Sequence, residues 1–200
     1  MVALPDRLLM TYEEYISWES TQEMRHEFCD GEVIAMAGGT RDHNRASGNF
    51  FKLLDNALAD RPCEVYIADV KVQVKPKRKY FYPDVVVTCD ERDRNDALVV
   101  AFPCLIIEVL SPSTEGFESL SETLRERGFK FSQYRQFDTL QEYVLVQVEQ
   151  PVVEVFQRNE QRQWVFFEYG LGDRLFLKSV NVEIAVSDLY QQIQFEQKTE

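Results

Sequence analysis

The chain has 200 residues, 44% of them hydrophobic and 12% aromatic, which indicates a folded globular protein rather than a disordered one. Its formal net charge of -12 argues against a protein that coats nucleic acid through bulk electrostatics. No apolar run approaches the length of a membrane helix, and Met1 to Asp6 lacks the basic and apolar regions of a secretion signal. We therefore expect a cytoplasmic protein without membrane attachment.

The cysteines are scattered, without a CxxC pair, at positions Cys29, Cys63, Cys89 and Cys104. This spacing favours free thiols in a reducing cytosol over a disulfide framework or a zinc site. The chain has two histidines, His26 and His43, which further disfavours zinc.

The N-terminal part predicts a helix, a hairpin and a second helix. Thr11 and Glu14 form a capping box, so a short helix should follow to about Glu19. Asp30-Gly31 lies between apolar runs in the segment 25–37 and marks a tight hairpin. Helical spacing over 42–60 predicts a helix whose inner face is formed by Phe50, Leu53, Leu54, Ala57 and Leu58.

The remainder predicts strands around one further long helix. Apolar runs predict strands over 64–68, 70–75, 80–88 and 104–110. A helix is predicted over 118–137, with Leu120, Leu124 and Phe131 facing inward. A meander of strands over 142–148, 152–157 and 163–168 follows, and a short helix over 186–192 closes the chain. Without repeats or linkers, this order predicts one domain, residues 1–200, of the mixed α+β class, with a mixed sheet flanked by helices.

Two carboxylates lie in otherwise apolar strands. Glu108 interrupts the run Cys104 to Leu110, which is typical of a strand buried on both faces. A buried carboxylate needs a cation or an ion-pair partner, because leaving it unpaired is strongly unfavourable. Asp84 lies in the similar run Tyr80 to Val87. If the strands are neighbours, both acids could share Mg²⁺, although the spacing also fits edge residues or partners of surface lysines.

The helix after the Glu108 strand supplies a candidate cation. Glu126, Lys130 and Tyr134 are spaced four residues apart and share one helix face. Taken alone, they fit an ordinary Glu–Lys pair with an amphipathic tyrosine. The position of the helix favours Lys130 as a cation beside the metal site.

A basic stretch precedes the Asp84 strand. It has no acidic residue and contains Lys71, Lys75, Lys77, Arg78 and Lys79. A solvated hairpin loop is the simpler interpretation. Its position beside the candidate metal site suggests a second interpretation, a surface that contacts the phosphates of DNA.

Several segments, in this order, resemble the Uma2 family, also called DUF820. They are residues 27–40 with His43-Asn44, then 82–87, 106–114, 126–131 and 142–146. That family is assigned to the restriction-endonuclease-like PD-(D/E)XK superfamily. The resemblance spans nearly the whole chain. It implies a restriction-endonuclease-like core with an extra β-hairpin and a C-terminal meander, and it implies this fold more strongly than any activity.

The resemblance also implies roles for individual residues. Asp84 resembles the acid of the PD motif and Glu108 the acid of the (D/E)XK motif. Leu110 stands where that motif has lysine, and Lys130 resembles a lysine moved to the following helix. Glu27 resembles an N-terminal acid that supports metal binding.

Two further residues have weaker assignments. Glu126 stands where the family pattern Asp-Arg-Gly-x-Lys has aspartate. His43 either contacts phosphate or water at a helix N-terminus, where anions are favoured, or merely decorates the helix start. His26 is interpreted as structural.

The expected function is Mg²⁺-dependent or Mn²⁺-dependent hydrolysis of DNA phosphodiester bonds. Asp84 and Glu108 would hold the metal, Glu27 would assist, and Lys130 would orient water or stabilise the phosphate. Cleavage of both duplex strands favours a homodimer. The alternative is a catalytically silent nuclease-fold binding or interaction protein, which the net charge of -12 favours. A small-molecule phosphodiesterase also fits, but would leave the basic stretch without a role.

Overall fold

A computed structural model gives the fold for residues 8–36, 38–95, 97–110 and 125–195, except the side chains of residues 95 and 125–127. The strands in these ranges form two six-stranded sheets and a two-stranded ribbon. No helix in the same ranges is both long enough and apolar enough to cross a bilayer.

The N-terminal sheet contains, in spatial order, β1 (Leu8–Leu9), β3 (Glu32–Ala35), β2 (His26–Cys29), β6 (Lys79–Phe81), β5 (Lys71–Lys75) and β8 (Val99–Val100). The central sheet contains, in spatial order, β12 (Trp164–Tyr169), β11 (Val153–Arg158), β10 (Glu142–Gln147), β9 (Leu105–Leu110), β7 (Val85–Thr88) and β4 (Glu64–Ile67). The ribbon pairs β13 (Arg174–Leu177) with β14 (Val182–Ala185).

The helices are α1 (Tyr12–Glu19), α2 (Arg41–Leu58), α3 (Phe131–Tyr134) and α4 (Val186–Leu189). A 3₁₀ turn covers Glu91–Asn95, and a π-helical segment, Arg125–Lys130, leads into α3. The predicted helix over 118–137 is therefore helical over 125–134, while Leu120 and Leu124 lie outside the described residues.

Both sheets are mixed, because β9 pairs parallel with β10 and β5 pairs parallel with β8, while their other strand pairs are antiparallel. The predicted mixed α+β class is confirmed. The structure has two large sheets where the sequence predicted one. The predicted meander is also confirmed as β10, β11 and β12.

Local signals in the N-terminal part are confirmed. The Thr11 hydroxyl accepts the Glu14 N–H, and the Glu14 carboxylate accepts the Thr11 N–H, which completes the capping box of α1. The β2–β3 turn has positive φ at Asp30 (51°) and Gly31 (101°), the backbone that a two-residue hairpin requires.

One hydrophobic cluster lies between α2 and the central sheet. Phe50, Leu54 and Leu58 are buried there against the β7 and β9 residues Val85 and Ile107. The prediction that Ala57 faces inward is wrong. Leu58, four residues after Leu54, takes the last inward position of the helix.

The predicted strand over 80–88 is instead two strands in different sheets. β6 ends at Phe81 and β7 begins at Val85, because Pro83 between them has no N–H to donate to a ladder. Phe81 and Val86 consequently share a second hydrophobic cluster, between the sheets, although unbroken alternation would place them on opposite faces. The break leaves Asp84 at the junction of the two sheets.

The prediction of four free thiols is wrong for Cys63 and Cys89, which form a disulfide. The β4–β7 register sets Glu64 opposite Thr88, and one further step brings the two cysteines together. Cys29 and Cys104 are not part of a disulfide. The Cys104 sulfur lies 3.8 Å from that of Cys89, and burial raises the pKa of the Cys104 thiol to about 12.

Candidate active site

The pairing of β7 with β9 brings the two predicted carboxylates together. These strands are antiparallel, with Val85 opposite Ile107. Continuing this register by one residue places Asp84 opposite Glu108. Directly opposite residues project from the same face of a sheet, so both acids face the cluster between the sheets.

Lys130 forms ion pairs with two buried carboxylates. Its Nζ atom lies 2.9 Å from Glu27 Oε1 and 3.2 Å from Glu108 Oε1. The exposed fractions of Glu27, Glu108 and Lys130 are 0%, 3% and 3%. Glu27 belongs to β2 and Glu108 to β9, so the lysine joins the two sheets. We call these three residues the buried triad.

Tyr134 fixes the same carboxylate. Its hydroxyl donates to Glu108 Oε1 over 2.8 Å, and its ring is fully buried, edge-on to Phe81. Tyr134 follows Lys130 by one helical turn, so the structure agrees with the predicted shared face. The Glu126 side chain lies outside the described residues.

Asp84 contacts His43 and the backbone of β9. His43 Nε2 lies 3.2 Å from Asp84 Oδ1, and the Val109 N–H donates to Asp84 Oδ2 over 2.7 Å. The Asp84 and His43 side chains are 17% and 18% exposed, so solvent reaches both. The predicted contact of His43 with phosphate or water stays a prediction.

The start of α2 holds the His43 ring in place. The Thr40 hydroxyl caps the helix by accepting the His43 N–H. At Gly39, an added Cβ would lie 2.6 Å from His43 Nδ1, closer than non-bonded atoms approach. A glycine at this position therefore makes room for the imidazole.

A third buried acid, Glu19, is linked to the triad through Tyr82, although the sequence did not indicate it. The Tyr82 N–H donates to Glu27, while its hydroxyl donates to Glu19, which is 2% exposed. Burial and Glu19 raise the pKa of the Tyr82 hydroxyl. His26 also bonds Glu19 through its backbone N–H, which agrees with a structural role. Glu19 is the last residue of α1, and nothing in the neighbouring sequence distinguishes it from a solvated surface acid.

The described residues contain no group of three or more His, Cys, Asp or Glu side chains arranged to hold a metal ion. Asp84 and Glu108 form a two-carboxylate set on one sheet face. Mg²⁺ usually binds through one or two carboxylates with waters and substrate oxygens, so this pair fits it. Glu27 contacts Lys130, and its assistance to a metal stays a prediction.

A cavity of about 260 Å³ opens beside Asp84. Arg25 and Asp69 form an ion pair at its wall, with a distance of 3.1 Å between Nε and Oδ1. The remaining lining is largely apolar and comprises Met24, Met36, Gly38, Ala68 and Tyr82. The cavity gives a small polyatomic group access to the Asp84 carboxylate.

The predicted basic stretch forms the β5–β6 hairpin, and neighbouring acidic residues form ion pairs with its basic side chains. Lys77 pairs with Glu13, and Arg78 pairs with Asp30. Lys79 is largely buried and also contacts Asp30. Lys71 lies over the rings of Tyr15 and Tyr82, and burial lowers its pKa. The hairpin interpretation is confirmed, and the contact of this stretch with DNA stays a prediction.

Comparison with known proteins places this arrangement in a family. A model of the Uma2 family, described as "Putative restriction endonuclease", matches residues 12–187. Two uncharacterised proteins of Synechocystis sp. (strain PCC 6803) are similar in sequence. The first, slr1290, is 38% identical over 183 residues and 92% of each chain. The second, sll1609, is 34% identical over 170 residues, or 84% of this chain and 92% of that protein.

A solved structure shares the fold. It is the crystal structure of a "putative nuclease belonging to DUF820" from Anabaena variabilis ATCC 29413. The TM-score is 0.69, and the match covers 92% of this chain and 99% of that chain at 13% identity. At this identity, the similarity concerns the fold alone.

Proposed function

This chain belongs to the Uma2 family, and from that premise we propose that it is a metal-dependent endonuclease that hydrolyses phosphodiester bonds of DNA. The observation that carries the proposal is the buried Lys130, held between Glu27 and Glu108 on the sheet face that Asp84 shares. A buried lysine with two acids is an expensive arrangement for stability alone, which favours a chemical role.

Each residue of the site would have a distinct role in hydrolysis. Asp84 and Glu108 would hold Mg²⁺ or Mn²⁺, and a bound ion of this kind activates water and stabilises charge on phosphate. The Lys130 ammonium is positioned by Glu27 and Glu108 to orient the attacking water or to stabilise the pentavalent phosphate. Tyr134 holds Glu108 in orientation through its hydroxyl.

The substrate would approach from the Asp84 side. Asp84 and His43 are partly exposed, and the cavity beside Asp84 leads to them from solvent. His43 contacts one oxygen of the Asp84 carboxylate, and the Val109 N–H donates to the other. The exposed Lys75, Lys77 and Arg78 would contact phosphates of the same DNA strand.

A second candidate is a catalytically silent nuclease-fold binding protein. The net charge of -12 and the acids that pair with the basic hairpin favour it, since both reduce attraction to DNA. Metal binding separates the two candidates. Mg²⁺ or Mn²⁺ should raise the melting temperature of a metal enzyme, whereas no shift at high metal concentration favours the silent protein.

The test of the proposal is cleavage of supercoiled plasmid in the presence of Mg²⁺ or Mn²⁺. We expect wild-type protein to cleave, while Asp84→Ala and Glu108→Ala fail to do so. Asp55→Asn is the control for purification and charge, because Asp55 is an exposed acid on α2. Equal cleavage by all variants would identify a contaminant or a different site, and would overturn the assignment.

A further inference from the structure

The outer edge of the central sheet is formed by β12. This strand pairs with β11 on one side and stands last in the strand order. Its ladder runs without interruption from the Val153–Tyr169 pair to the Arg158–Trp164 pair, so it contains no bulge. A straight six-residue edge presents a row of backbone N–H and C=O groups to any neighbouring chain.

This edge is also unusually apolar. Val165, Phe166 and Phe167 are consecutive and are 39%, 51% and 40% exposed. Successive residues of a strand project from opposite faces, so apolar surface is exposed on both sides of the sheet. Contiguous exposed apolar surface of this kind marks an interaction site.

The two hydrophobic clusters that flank the central sheet both reach this edge. The Phe166 ring lies 5.4 Å from that of Phe156, which packs against the cluster between the sheets. On the other face, Tyr169 packs against the cluster that contains α2. A partner that completes both clusters must therefore present an edge strand that is apolar on both of its faces.

The usual protection against edge pairing is absent from β12. Natural edge strands carry lysine, proline or a bulge, or are very short. β12 has none of these, and its single charged residue is Glu168. The other sheet edges among the described strands are shorter, with four residues in β4 and two in each of β1 and β8.

We propose that β12 pairs antiparallel with β12 of a second copy of this chain, so that the two central sheets join across a two-fold axis. The symmetric register sets Phe166 opposite Phe166 of the partner, with Val165 opposite Phe167 and Trp164 opposite Glu168, because a two-fold axis perpendicular to the sheet keeps each residue on its own face. Only one carboxylate per chain enters the ladder, and it faces Trp164 rather than another carboxylate. The strand itself has the apolar pattern on both faces that the open clusters require, and the contact closes as a dimer.

The test is the molar mass in solution, measured by light scattering during gel filtration over a range of concentrations. We expect wild-type protein to form a dimer, and Phe166→Lys to weaken dimerisation by at least about tenfold, because two lysines would enter one ladder. Phe176→Lys is the matched control, since Phe176 is 43% exposed on β13, away from this edge. It should remain dimeric.

Hydrogen exchange locates the interface independently. The β12 amides should be protected in the wild-type dimer and exchange faster in Phe166→Lys, while protection of β9 and β10 is retained. A monomeric wild type, a Phe166→Lys variant that dimerises as tightly as wild type, or an assembly larger than a dimer would each overturn the proposal. None of these outcomes depends on nuclease activity, so failure of this proposal can be distinguished from failure of the proposed function.

Discussion

The buried triad and the Asp84–His43 pair lie at the two ends of the same site but in different surroundings. Lys130 and its two glutamates are at most 3% exposed, whereas Asp84 and His43 are 17% and 18% exposed. Electrostatic attraction is strong in the triad, because little water screens it, and weaker in the pair. The triad therefore holds the site together, and the pair is the part that a substrate can reach.

The largest effect is expected from Lys130→Met, which leaves Glu27 and Glu108 buried without their cation. The free energy of unfolding should fall by about 3–5 kcal/mol, and cleavage should be lost. Urea denaturation measures the first quantity and plasmid cleavage the second. Lys75→Met on the exposed hairpin should change stability by less than about 0.5 kcal/mol. Equal effects of the two substitutions would refute the distinction between triad and surface.

Asp84→Asn tests the exposed end of the site. Cleavage should fall by about 100-fold or more, since groups that merely support metal ligands reach that size of effect. Stability should change by about 1 kcal/mol or less, because the asparagine oxygen still accepts the Val109 N–H. A loss of stability as large as that of Lys130→Met would show that Asp84 belongs to the structural part of the site.

Tyr134→Phe removes one hydrogen bond to a buried carboxylate. Such a bond contributes about 1.5–3 kcal/mol to stability, compared with about 0.5–1.5 kcal/mol for one between neutral groups. The comparison variant is Tyr190→Phe, because the Tyr190 hydroxyl donates to the neutral Val152 carbonyl over the same 2.8 Å. Thermal denaturation should rank Tyr134→Phe as the more damaging; the reverse ranking would mean that Glu108 is not charged.

The smallest effect on cleavage is expected from Gly39→Ala, which pushes a methyl group against the His43 ring. Displacing the ring should slow cleavage several-fold through the orientation of Asp84, since a misplacement of about 1 Å can cost about 100-fold in rate. Gly38→Ala is the matched variant, because its added Cβ meets no atom within 4 Å. If both variants cleave at the wild-type rate, His43 has no part in positioning Asp84.

Local signals were sufficient to predict most of the elements and to single out several candidate site residues. Glu108 is recognisable because a carboxylate is costly in an apolar strand, and Tyr134 because it follows Lys130 by four residues. These arguments use only neighbours along the chain. They apply equally to the capping box of α1 and to the β2–β3 turn.

Features that depend on distant pairing could not be predicted in this way. The Glu27–Lys130 contact joins residues far apart in sequence, and the Cys63–Cys89 disulfide follows from the pairing of β4 with β7. The proline at position 83 can be read from the sequence. That the strands before and after it belong to different sheets depends on their pairing with distant strands.

Lys130 has a consequence for how the molecule comes apart. It forms an ion pair with one carboxylate from each sheet. The N-terminal sheet can therefore separate from the central sheet only if one of these two ion pairs breaks. Local opening and loss of the reactive geometry are thus a single event. Mild destabilisation should therefore abolish cleavage while the central sheet is still folded.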